Sequence, residues 1–93
     1  MPTQDDIAAA VAAYDSANPI APLPRNTVRL LVAMFPRGDI CQRSLDDIAA
    51  LGFSRRQLPV TLNRLVRAGL LTWEIGSVSA SDTFRLRVPP VQP

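Results

Sequence analysis

Between residues 54 and 69 the chain repeats apolar positions at helical spacing. Leu58, Leu62, Leu65 and Val66 fall at i, i+4, i+7 and i+8, which lines one side of a helix of about 3.6 residues per turn. Ser54 with Gln57 three residues on has the form of a capping box, and Gly69 can take the left-handed conformation that ends a helix. The pattern predicts a helix over 54–68 with that side buried. Three earlier helices follow from the same reading. Ile7, Val11 and Tyr14 share a face in an alanine-rich helix over 3–17, opened by Thr3 and Asp6. Val28, Leu31, Val32 and Phe35, widened by Leu30 and Met34, form the core stripe of a second over 27–35, capped by Asn26 and stopped by Pro36 and Gly38. Ser44 and Asp47 open a short third helix with Leu45, Ile48 and Leu51 on its apolar side and Gly52 at its end.

After Gly69 the period falls to two. Leu71, Trp73 and Ile75 alternate with polar residues, as do Phe84, Leu86 and Val88, which predicts a β-hairpin around the loop 76–82. Ile40, flanked by polar residues, marks a brief strand before the third helix. The stretch 18–24, NPIAPLP, carries three prolines and reads as an extended connector that fixes distance. These elements give a mainly α fold with a small antiparallel hairpin. They divide the chain into an N-terminal helix and linker (1–24), a domain (25–88) and a tail (89–93).

Composition changes this picture little: 47% of residues are hydrophobic and 19% charged, and the net charge is +2. No apolar run approaches the roughly 18 residues of a membrane span, and acids stand where a secretory signal has a basic region, so a cytoplasmic protein is expected. Cys41 is the single cysteine, which rules out an internal disulfide and suits a small, partly buried residue. All ten basic residues are arginine, and with abundant alanine this suggests GC-rich bacterial coding. Without histidine, no imidazole base or Cys/His zinc set is available; no cofactor, metal or enzymatic activity is expected. Asp46 and Asp47, adjacent on a helix, point apart and serve as helix-start acids.

The charge is unevenly placed. Residues 54–68 hold four arginines and no acid. At about 100° per residue, Arg56, Val60, Asn63, Arg64 and Arg67 stand opposite the leucines, with Gln57 on the flank. A short helix, a tight glycine-containing turn and a basic second helix make the arrangement of a helix-turn-helix.

With the hairpin added, the stretch IAALGFSRRQLPVTLNRLVRAGLLTWE resembles the core of the winged helix-turn-helix family, in particular its MarR-like members, over residues 26–88. The resemblance implies a small DNA-binding regulator with helix 54–68 in the major groove and the hairpin 70–88 as its wing. Arg56, Gln57, Val60, Asn63 and Arg64 are the expected base contacts, Val60 through a thymine methyl. Ser54, Arg55, Arg67, Arg85 and Arg87 are the expected phosphate contacts. The chain departs from the family in three places. The third helix is one residue short, Pro59 lies one turn inside the basic helix and predicts a bend or tightened first turn, and the wing tip has no basic residue. Winged helices also serve as protein-contact modules, and the modest net charge fits that alternative. For a domain this small a homodimer is expected, with Ile7, Val11 and Tyr14 at its interface, the alternative being that this helix folds back on its own second helix or wing.

Overall fold

In the computed structural model, which describes residues 3–36, 38–76 and 81–87, the chain runs α1 (Gln4–Ala17), α2 (Thr27–Met34), β1 (Ile40–Arg43), α3 (Leu45–Ala49), α4 (Leu58–Arg67), β2 (Leu71–Glu74) and β3 (Asp82–Leu86). This is an α+β fold of four helices and one three-stranded antiparallel sheet. The loop residues 77–80, Val88 and the tail 89–93 lie outside the described residues.

The first helix starts as its sequence dictates. The Thr3 hydroxyl accepts from the Asp6 N–H at 3.1 Å, and the Asp6 carboxylate accepts from the Thr3 N–H at 2.9 Å. The backbone bond from Thr3, then the side-chain one, holds the Asp6 carboxyl below its ordinary pKa. Its contribution to stability is therefore complete above the ordinary carboxylate range and is lost as pH falls through the lowered value.

Beyond its start, α1 follows the alternative placement, folded back on its own second helix. Ile7 and Val11 are buried in the chain's own core, Tyr14 packs against its edge, and α1 lies on α2. The stripe assigned to a dimer interface is thus already covered. The cause lies in residues 18–24, which double back. The Asn18 side chain donates to the Tyr14 carbonyl at 2.9 Å, the Ala21 N–H reaches the Asn18 carbonyl at 3.2 Å, and Leu23 drops into the core. Prolines confine each residue's own backbone but leave the turn at Asn18 free to reverse the chain.

Helix α2 buries Thr27, Leu30, Leu31 and Met34, while Val28 and Val32 are half-buried, so its inner face is turned about one position from the expected stripe. Asn26 precedes it without a side-chain capping bond. The Thr27 hydroxyl is fully buried and has no hydrogen-bond partner among the described residues. Thr27→Val, which keeps the shape and removes that hydroxyl, should raise stability by about 1 kcal/mol in denaturant unfolding. A loss of similar size would mean that the hydroxyl is satisfied.

The strand order is β1-β3-β2, so the expected hairpin gains a third strand along β3. Cys41, Phe84 and Trp73 form one inward row across the sheet, and Ile40, Arg85 and Thr72 the next, outward row. Cys41 is buried, and burial pushes its thiol pKa up against the opposing pull of Arg43. Ile75, expected to point inward, is 78% exposed, because β2 ends at Glu74 and with it the alternation that would bury the next odd residue.

Candidate nucleic-acid interface

The short helix α3 opens where the Ser44 hydroxyl accepts from the Asp47 N–H at 3.1 Å, and only Ile48 on it is fully buried. Leu51, expected on its apolar side, is at the exposed rim because the helix ends at Ala49. Gly52 at φ +111° then makes the sharp turn. The next residue, Phe53, is covered by the Arg29 guanidinium of α2, whose carbon lies 5.1 Å from the ring centroid. This contact ties the turn to α2. No local spacing in the sequence pairs Arg29 with Phe53.

Residues 54–57 form a separate turn, and regular helix begins only at Leu58. The Gln57 N–H reaches the Ser54 carbonyl at 3.1 Å and its hydroxyl at 3.4 Å, and the Leu58 N–H reaches the same carbonyl at 3.0 Å. The returning half of the capping box is absent. Pro59 explains the later start. It occupies the second helical position, where no intrahelical N–H bond is required, and the tightened turn lies before it.

The far end is closed by a Schellman motif. The Leu70 N–H bonds to the Leu65 carbonyl and the Gly69 N–H to the Val66 carbonyl, both at 3.1 Å, with Gly69 at φ +79°. Leu65 and Leu70 are both fully buried, which supplies the apolar contact of that motif.

Within α4 the buried positions are Leu58, Thr61, Leu62 and Leu65. Val66, expected among them, is 37% exposed, and Thr61 takes the place on the stripe. The reason is geometric. A stripe centred on Leu58, Leu62 and Leu65 covers i, i+3, i+4 and i+7, and i+8 falls at its edge.

Opposite stand Val60, Asn63 and Arg67, all exposed, with Arg56 and Gln57 exposed in the turn before. Val60 is 56% exposed, unusual for valine in the middle of a helix. Of the four arginines here, two are engaged. The Arg55 Nε lies 2.8 Å from Asp46 on α3, an exposed pair that contributes about 0–1 kcal/mol. Arg64 donates to the Pro22 carbonyl at 3.0 Å, so it faces the connector. Arg56 and Arg67 have no acceptor among the described residues. The shared face of expected contacts is therefore Ser54, Arg56, Gln57, Val60, Asn63 and Arg67.

The hairpin arginines are placed differently. Phe84 and Leu86 point into the core, so Arg85 and Arg87 project from the sheet face turned away from it, both exposed. Asp82, expected at the end of the loop, is the first residue of β3. Its carboxylate accepts from the Trp73 Nε1 at 3.0 Å and from the Gly76 N–H at 2.9 Å, closing the hairpin below its tip. Sequence alone does not pair Asp82 with Trp73, because the strand register decides that meeting.

A cleft of about 230 Å3 adjoins this face, between the connector, the start of α2, the turn after Gly52 and α4. Among the described residues no cluster of three or more metal-ligating side chains occurs, and no helix is long and apolar enough to cross a membrane. No protein-family model, no curated protein and no solved structure matches the chain.

Proposed function

We propose that the chain is a small DNA-binding protein of winged helix-turn-helix type, a cytoplasmic transcriptional regulator that docks α4 in the major groove with the β2–β3 hairpin as its wing. The element order from α2 to β3, helix, strand, helix, turn, helix and hairpin, supports this reading. The observation that carries it is the outer side of α4 and its preceding turn: Arg56, Gln57, Val60, Asn63 and Arg67, exposed together without a carboxylate among them. Arginine pairs with guanine O6 and N7, glutamine with adenine N6 and N7, and an exposed valine suits a thymine methyl. Arg67, one turn further on, is assigned to phosphate, as are the exposed Arg85 and Arg87 of the hairpin.

The two free arginines are expected to fail differently. Arg56→Ala should cost about 1–3 kcal/mol of specific binding and relax sequence preference, whereas Arg67→Ala should weaken all duplexes alike and lower the salt slope by about one. Competition binding with specific and random duplexes, starting from DNA around the protein's own gene, separates the two. Equal losses on both duplexes for Arg56→Ala would remove it from base readout.

A protein-contact module is the second reading, favoured by the exposed apolar Val60 and Ile75 and by the engagement of Arg55 and Arg64. Salt decides between them. Binding to a duplex falls linearly in log salt with a slope set by the phosphates neutralised, while an apolar contact barely responds. A homodimer remains part of the proposal, since paired modules on half-sites one helical turn or a multiple apart reach useful specificity. Its interface must use a surface other than Ile7 and Val11, and light scattering gives the state.

A further inference from the structure

The three-stranded sheet has two open edges, and they differ in charge. Where β1 meets β3, the Leu86 N–H donates to the Asp39 carbonyl at 2.8 Å, so in this register Cys41 and Arg43 also exchange backbone bonds with β3. The N–H and C=O groups of Ile40 and Gln42 therefore point the other way, to an edge on which no described strand lies. That edge carries none of the usual guards against pairing. Its register is unbroken by a bulge, it holds no proline, and its charges stand only at the ends, Asp39 before the strand and Arg43 at its last position. Ile40 on it is 49% exposed, and a cleft of about 710 Å3 opens beside the strand toward Met34 and Pro36.

From these features we infer that the edge of β1 is where a second copy of the chain adds, antiparallel about a two-fold axis at Cys41, to make a sheet continuous through both copies. A two-fold contact must be self-complementary, and the run DICQR, residues 39–43, is. Centred on Cys41, the pairing sets Ile40 of each copy against Gln42 of the other, so that their outward backbone groups satisfy one another. It also sets Asp39 of each copy against Arg43 of the other. Both side chains stand on the face of β1 that carries Cys41, and neither has an ion-pair partner among the described residues. An ion pair thus closes each end of the contact. A two-fold axis at Ile40 or at Gln42 leaves Asp39 without Arg43 opposite, so charge fixes the register.

The edge of β2 is open as well, but it is not self-complementary. Leu71–Glu74 has one acid and no base, so the same operation sets Glu74 against an uncharged residue or against its own copy. The β1 pairing supplies the interface of the proposed homodimer and rests on that part of the reading, not on DNA contact.

The test is sedimentation of the full chain over a range of concentrations, with amide hydrogen exchange on the same samples. An edge of four residues makes a small contact, so association is expected in the micromolar-to-millimolar range. Exchange at the Ile40 and Gln42 N–H groups should slow as concentration rises, while Leu71 and Trp73, whose N–H groups face the open edge of β2, stay unchanged. Asp39→Arg and Arg43→Asp each bring like charges together at both ends and should weaken the dimer about tenfold. The two changes together, at unchanged net charge, should return it to within about threefold of the natural chain. Asp39 is exposed, so Asp39→Arg with the exchange pattern decides by itself if Arg43→Asp, at a half-buried position, does not fold. A chain that stays monomeric at millimolar concentration overturns the inference and the homodimer with it, and leaves the DNA reading standing. A dimer that is indifferent to Asp39→Arg, protected instead at Leu71 and Trp73, or not recovered by the combined change overturns the β1 interface and leaves a homodimer formed elsewhere.

Discussion

Phe84→Ala is expected to cost about 3–5 kcal/mol of folding stability, which is a large part of what a domain of this size holds. Phe84 is fully buried on the central strand β3, opposite Cys41 on one side and Trp73 on the other. Its ring centroid lies 5.4 Å from that of Trp73 with the planes tilted by 30°, an aromatic contact worth about 0.5–1.5 kcal/mol beyond area. Removal therefore opens a cavity where both strand pairs meet, and edge strands of four residues cannot close over it. Trp73 is the only tryptophan, so its fluorescence in a denaturant titration follows the region directly. A loss below about 1 kcal/mol would mean that the sheet is not held through its middle row.

Leu62→Ala should cost about 2–5 kcal/mol, because Leu62 is fully buried at the centre of the α4 stripe between Leu58 and Leu65. The comparison that gives it meaning is Val60→Ala, two residues away on the exposed side, which should move stability by no more than about 0.5 kcal/mol. Denaturant midpoints of both variants check the orientation of the helix. Similar losses would place α4 in a different rotation and take the outer face with it.

Much of this architecture is legible in the sequence because it depends on local chemistry. Thr3, Ser44 and Gly69 act through groups within five residues, and the change of period after Gly69 marks the hairpin. The leucines of α4 fixed its inner side, since Leu58, Leu62 and Leu65 can face only one way. What was not legible depends on where distant segments meet. The outward turn of Val66 and the burial of Thr61 differ from the expected stripe by one position, which a period of 3.6 does not resolve. The burial of Ile7 and Val11 follows from the turn at Asn18, and three prolines concealed it. In the candidate site, Arg56, Gln57, Asn63 and Arg67 were placed outward by the period alone, whereas the capture of Arg64 by Pro22 spans 42 residues and has no local trace.

That capture has a partner on the other side of the same bond. The Pro22 carbonyl that Arg64 holds and the Leu23 N–H that Asp15 Oδ1 accepts at 2.8 Å belong to one peptide group. A carboxylate of α1 and a guanidinium of α4 are thus joined through a single planar amide, each polarising it in the sense that strengthens the other bond. Asp15 and Arg64 form in effect a relayed ion pair, coupled without touching. Replacing Asp15 with an uncharged residue removes that polarisation and weakens the hold on Arg64, so the first helix and the last are linked through the connector.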